Sequence, residues 1–151
     1  MDPRHLPPDF RDFLECLNAA GVEYLLIGGH AIAYHGYPRV TSDMDVWINR
    51  TPDNAEKALA AIRRFFNDEM SGLTIAQLLD PETVTHFGAR PHLIEVLNMI
   101  SGGDFAQAWP RRISTDYDGV PVQMISLADL KQNKRASGRP KDIADLENLP
   151  P

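Results

Sequence analysis

Apolar positions near the start of the chain recur at helical spacing. Phe10, Phe13, Leu14 and Leu17 share one face of a helix predicted over residues 8–20, with Gly21 as its stop. The apolar run at residues 23–27 breaks off at Gly28-Gly29, the pattern of a buried strand feeding a tight turn. A short helix over residues 30–34, closed by Gly36, and a second strand over residues 44–49 follow. Thr51 and Pro52 form a helix start, threonine as cap and proline at the first helical position. Ala58, Leu59, Ile62, Phe65 and Phe66 give that helix one apolar face. Residues 71–80 predict another short helix, with Ile75, Leu78 and Leu79 turned inward.

Residues 83–87 and 93–97 read as strands, and residues 112–117 and 120–125 as a pair joined by Asp118-Gly119, a strong hairpin signal. Ser126 to Asp129 has the form of a capping box, opening a helix that ends near Gly138. A last helix spans residues 140 to about 149. The strands are clustered rather than alternating regularly with helices. The expected class is therefore α/β of the α+β kind, a mixed, twisted sheet backed by helices.

At 151 residues, without a repeat or a linker, the sequence predicts one domain over residues 1–151. The net charge of −6 disfavours a general nucleic-acid coat protein, which needs a positive field, yet leaves room for a local basic patch. Cys16 is the only cysteine, so no internal disulfide can form, which fits a reducing compartment. No apolar segment follows the first residues and none is long enough for a bilayer. The expectation is a soluble, cytoplasmic chain with no membrane partner.

Candidate chemistry is concentrated in residues 27–46. Asp43 and Asp45 lie two apart at a strand start, so their side chains point to one face and can share a cation. Two adjacent carboxylates repel, and a divalent metal resolves the conflict; their hard oxygens suit magnesium or manganese. Such a pair taken alone equally describes two solvated acids. Its context changes the balance. Gly28-Gly29 upstream lets backbone N–H groups approach a phosphate, and Arg39 and Thr41 add a guanidinium and a hydroxyl beside the acids.

The glycine turn, the short helix and the run Arg39-x-Thr41-x-Asp43-x-Asp45 together resemble the nucleotidyltransferase superfamily. The form Gly28-Gly29-His30-Ala31 before that run is most similar to its compact toxin-like branch, related to AbiEii toxins. The resemblance covers residues 23–149 and implies the minimal nucleotidyltransferase fold. It also implies transfer of a nucleoside monophosphate from a nucleoside triphosphate to an acceptor hydroxyl, with release of pyrophosphate. Two ions, Mg2+ or Mn2+, would serve an in-line displacement, bridged by Asp43 and Asp45. Gly28, Gly29, Arg39 and Thr41 would serve the nucleotide. The acceptor stays open among RNA, protein and small molecule, and a cognate antitoxin-like protein is an implied partner.

The superfamily carries a third acid on a later strand, and Glu95 is the acid embedded in the apolar run 93–97. Its length, where relatives more often have aspartate, leaves two roles open: metal ligand or general base. A glutamate facing water at a sheet edge is the plainer alternative, with Asp104 and Asp116 next in line as third acid. Residues 131–142 form a basic island in which Lys131 and Lys134 share a helix face. By resemblance this island clamps a triphosphate or an acceptor, Lys134 foremost. Otherwise it is a solvated helix-turn-helix, with Lys141 and Asp142 in surface ion pairs of little worth.

His30 and His35, five apart, cannot form a helical zinc pair. His30 is read as packing, Trp47 and Trp109 as core or rim, and Cys16 as buried and inert. Decay to a catalytically silent nucleotide- or partner-binding module is the alternative function.

Overall fold

The computed structural model describes residues 5–39, 41–69 and 72–151. Helix α1 (Pro8–Ala19) opens on two prolines and buries Phe10, Phe13, Leu14 and Leu17, as their spacing predicts. Strand β1 (Tyr24–Ile27) is buried along its whole length and runs straight into α2 (Gly28–Tyr34). Strand β2 (Met44–Ile48) and α3 (Pro52–Phe65) follow, the Thr51 hydroxyl accepting the Asn54 N–H as the helix cap.

Helix α4 covers only Ile75–Leu79, shorter than residues 71–80, because Thr74 and Gln77 close a capping box that fixes its start; Ser71 lies outside the described residues. Strands β3 (Thr85–Phe87) and β4 (Ile94–Leu97) lead to α5 (Phe105–Ala108) and a 3-10 turn at Trp109–Arg111. The hairpin β5 (Ile113–Tyr117) and β6 (Val120–Met124) precedes α6 (Leu127–Ser137) and α7 (Pro140–Asn148). Only half of the box before α6 forms. Ser126 accepts the Asp129 N–H, but the Asp129 carboxylate turns to Arg111 and to the Ser126 hydroxyl.

The six strands make one mixed sheet in the order β3-β4-β2-β1-β6-β5. β1 runs antiparallel to β2 and parallel to β6, and β2 runs parallel to β4. The outer pairs, β3/β4 and β5/β6, are antiparallel. Helices α1 and α3 pack together, α4 beside α3, and α1 also lies against β6. The core joins Phe10, Phe13 and Leu17 of α1 to Tyr24, Leu26, Val46, Ile62 and Val122. Among the described residues no helix is long and apolar enough to cross a membrane.

Asn54 fastens the layers at the lower end of β2. It is buried, its Oδ1 accepts the Glu23 N–H at 2.7 Å, and its Nδ2 donates to the carbonyls of Glu23 and Asn49 at 3.0 and 2.8 Å. Truncation leaves the Glu23 N–H unpaired, at about 1–3 kcal/mol where water cannot reach it, while the Glu23 and Asn49 carbonyls keep the N–H groups of Asn49 and Thr51. Asn54→Ala is therefore expected to lower the urea midpoint clearly, with Asn54→Asp in between because it keeps the acceptor. A midpoint unchanged in Asn54→Ala would show that water replaces these bonds.

Candidate active site

The carboxylates meet because of the strand register. Asp43 immediately precedes β2, Asp45 lies within it, and Asp45 stands directly opposite Glu95 of the parallel neighbour β4. Side chains at paired positions of adjacent strands point to the same face. The apolar neighbours of both acids, Met44, Val46, Ile94 and Val96, fill the core on the other face. The alternation that placed Glu95 opposite Ile94 and Val96 is thus observed.

The alternative acids lie elsewhere. Asp104 caps α5, and Asp116 is exposed on the edge strand β5.

The glycine turn serves this arrangement in an unexpected way. Gly28 has φ +69°, a backbone region open chiefly to glycine, and a Cβ there would overlap the Asp45 carboxylate. A Cβ on Gly29 would overlap the Thr41 hydroxyl. The two glycines make room for an acid and a hydroxyl of the chain itself. Thr41 in turn donates to the Asp43 carbonyl at 3.3 Å.

These groups line one cleft of about 710 Å³, which Arg39, Arg90, Lys134, Arg139 and Lys141 also border. The Asp45 carboxyl is pushed up to about 7. Burial is the main cause; a hydrogen bond with Glu95 and the charges of Glu95 and Asp43 add to it, and Lys134 opposes them. Asp43 Oδ2 accepts from Arg90 Nη1 at 3.2 Å. Asp43 Oδ1 and Asp45 Oδ1 are buried without a hydrogen-bond partner. Two orphaned hard carboxyl oxygens beside a third acid are chemically suited to magnesium or manganese. The acids are not gathered into a finished cage: among the described residues no three acid, histidine or cysteine side chains converge to metal-binding distance.

The basic island is built differently from a solvated surface. Lys134 is buried, its Nζ 3.2 Å from Asp142 Oδ1 and 3.1 Å from Asp145 Oδ2. Arg139 approaches Asp142 at 2.8 Å, and Arg39 approaches Asp145 at 3.2 Å. Asp142 is fully enclosed, not at the surface; burial pushes its carboxyl up, but hydrogen bonds from Arg139, Ser137 and Lys134 pull it far below the usual range. Lys134 and Arg39 thus stand in the cleft wall with their charges engaged by buried acids. Sequence reasoning missed Asp142 and Asp145 as partners, although their i, i+3 spacing on α7 was the available signal. It also missed Arg90, which no periodicity marks because it sits in the loop between β3 and β4.

His30 packs as expected: it is buried, 3.2 Å from the Tyr117 hydroxyl, and burial lowers its imidazole to about 4. Trp47 is core, and Trp109 carries the Arg112 guanidinium 3.8 Å from its ring centroid. Cys16 is half-buried against the core rather than enclosed, and burial pushes its thiol up.

The sequence matches no protein-family model and no curated protein. The fold is similar to the crystal structure of a proposed nucleotidyltransferase from Thermotoga maritima. The TM-score is 0.58 at 16% sequence identity, over 91% of this chain and 87% of that one. The six-stranded mixed sheet backed by helices is therefore a nucleotidyltransferase-like fold.

Two expectations follow. Because the folded chain holds a proton on Asp45 that the unfolded chain has released, stability in a chelator falls as pH rises from about 4 to about 7, then levels off. Asp45→Asn removes that slope and raises stability at pH 8, as denaturation at several pH values will show; an unchanged slope would refute the raised carboxyl. Asp142 has the opposite sign, adding stability that is present above about pH 4 and lost in acid. Asp142→Ala leaves the buried Lys134 with Asp145 as its one remaining acid and is expected to cost up to about 3 kcal/mol at pH 7 in the same measurement.

Proposed function

We propose that this protein transfers a nucleoside monophosphate from a nucleoside triphosphate to an acceptor hydroxyl and releases pyrophosphate. The observation that supports this reading best is the placement of Asp43, Asp45 and Glu95 on one face of β2 and β4, inside a cleft bordered by cations. Asp43 and Asp45 would hold Mg2+ or Mn2+ through their unpartnered oxygens, with Glu95 beside them. When bound, such a cation neutralises charge on the phosphates and makes an oxygen nucleophile easier to deprotonate.

The chain's own groups supply the rest. The walls carrying Gly28, Gly29 and Thr41 orient the triphosphate, and Arg39 and Lys134 add positive potential from their buried pairs. The acceptor oxygen attacks the α-phosphorus, its proton passes to the Glu95 carboxylate, and the bond from the α-phosphorus to the bridging oxygen breaks as pyrophosphate leaves. RNA, protein or a small molecule can supply that hydroxyl. The sequence resemblance favours the toxin-like branch related to AbiEii toxins, with an antitoxin-like protein as partner.

A second reading, a catalytically silent nucleotide- or partner-binding module, draws support from the Arg90–Asp43 pair and from the engagement of Lys134 and Arg39 by acids. Incubation with each α-labelled nucleoside triphosphate, Mg2+ or Mn2+, and RNA or protein extracts separates the two. We expect label transfer by the native chain, its loss by at least about 100-fold in Asp43→Asn, and retained nucleotide binding without transfer in Glu95→Gln. Transfer at the native rate by Asp43→Asn would sink the assignment, and binding without any transfer by the native chain would favour the silent module.

A further inference from the structure

Five cations border the cleft, and three of them pair with acids other than the reacting groups. Arg39 and Lys134 pair with Asp145, Lys134 and Arg139 pair with Asp142, and Lys141 lies exposed near the start of α7. Arg90 differs. Its guanidinium meets Asp43 Oδ2 at 3.2 Å, so its partner is one of the carboxylates on which the proposed metal chemistry depends. The Arg90 side chain is 75% exposed, whereas that of Asp43 is 24% exposed and keeps its other oxygen buried and unpartnered.

A divalent cation and a guanidinium cannot both use one carboxylate fully. With its guanidinium in solvent the pair is worth little, on the order of 1 kcal/mol, so a divalent charge displaces it readily. The displaced guanidinium remains tethered at the mouth of the cleft, and its fork of N–H donors matches phosphate oxygens better than any other side chain.

We propose that Arg90 is an exchangeable counter-ion. It neutralises Asp43 in the empty cleft, yields that carboxylate to the divalent cation, and then binds the phosphate chain of the incoming nucleotide. This inference rests on the nucleotidyl-transfer reading of the cleft and adds to it a residue that links metal entry to triphosphate capture. It sets two affinities against each other, which a merely structural ion pair would not do.

The test measures Mn2+ binding by electron paramagnetic resonance, first with Mn2+ alone and then with inorganic tripolyphosphate present. Arg90→Ala is expected to bind Mn2+ alone about two- to fivefold more tightly, because the competing charge is gone. It is expected to bind tripolyphosphate with Mn2+ about 10- to 100-fold more weakly, because a charge-assisted contact is lost. Arg90→Lys should recover part of the tripolyphosphate affinity, and in an Asp43→Asn background Arg90→Ala should no longer tighten Mn2+.

Mn2+ binding that needs Asp43 but is the same with and without Arg90 would overturn the exchange alone. Two affinities that fall together in Arg90→Ala would overturn it as well. A native chain that binds no Mn2+, or whose binding survives loss of both Asp43 and Asp45, would instead reject the metal reading of the cleft and this inference with it.

Discussion

Like charges held in register are the constraint around which the rest of the cleft is organised. β2 and β4 run parallel with Asp45 opposite Glu95, and Asp43 is two residues further along the same face. Left alone, three carboxylates in a partly enclosed groove would repel one another and lose hydration. The chain offsets this in three ways. A proton stays on Asp45 to neutral pH, Arg90 leans on Asp43, and Lys134 lends its field from behind. Each of these is weaker than a bound divalent cation, and so each can give way to one.

The second ionic assembly has the opposite character. Asp142 and Asp145 on α7 hold Lys134 of α6, Arg139 at the helix junction and Arg39 of the loop before β2. Each acid has two cationic partners, and both acids are buried, so removing one member would leave charge uncompensated in a poor solvent. The cluster carries two negative and three positive groups, an excess of one positive charge along one wall of the cleft. In a net acidic chain, the excess positive charge along this wall is thus held by a buried framework rather than by a run of free lysines.

Most of the fold is legible in the sequence because its elements carry local signals. Phe10, Phe13, Leu14 and Leu17 mark α1 by period, Thr51-Pro52 marks the start of α3, and Asp118-Gly119 marks the hairpin. The candidate acids are legible too, since alternation around Glu95 and the spacing of Asp43 and Asp45 fix which way they face. What escapes the sequence is long-range pairing between charges. The i, i+3 spacing of Asp142 and Asp145 marks a shared face but not that Lys134 packs against it, and nothing near Arg90 points across 47 positions to Asp43. Gly28 shows the same limit. Its local pattern suggests close approach of a phosphate to the backbone, but does not reveal that the Asp45 carboxyl of β2 lies where a Cβ would be.

The placement of β1 between β2 and β6 bears on how the chain is made. Its antiparallel partner follows within some twenty residues, but its parallel partner pairs Leu26 with Met124, far later in the sequence. During synthesis one edge of this buried strand therefore stays open until β6 has left the ribosome. Contacts of such sequence separation slow folding and prolong the exposure of unpaired backbone. The same central position that buries β1 in the finished sheet makes the nascent chain most vulnerable to association just before β6 arrives.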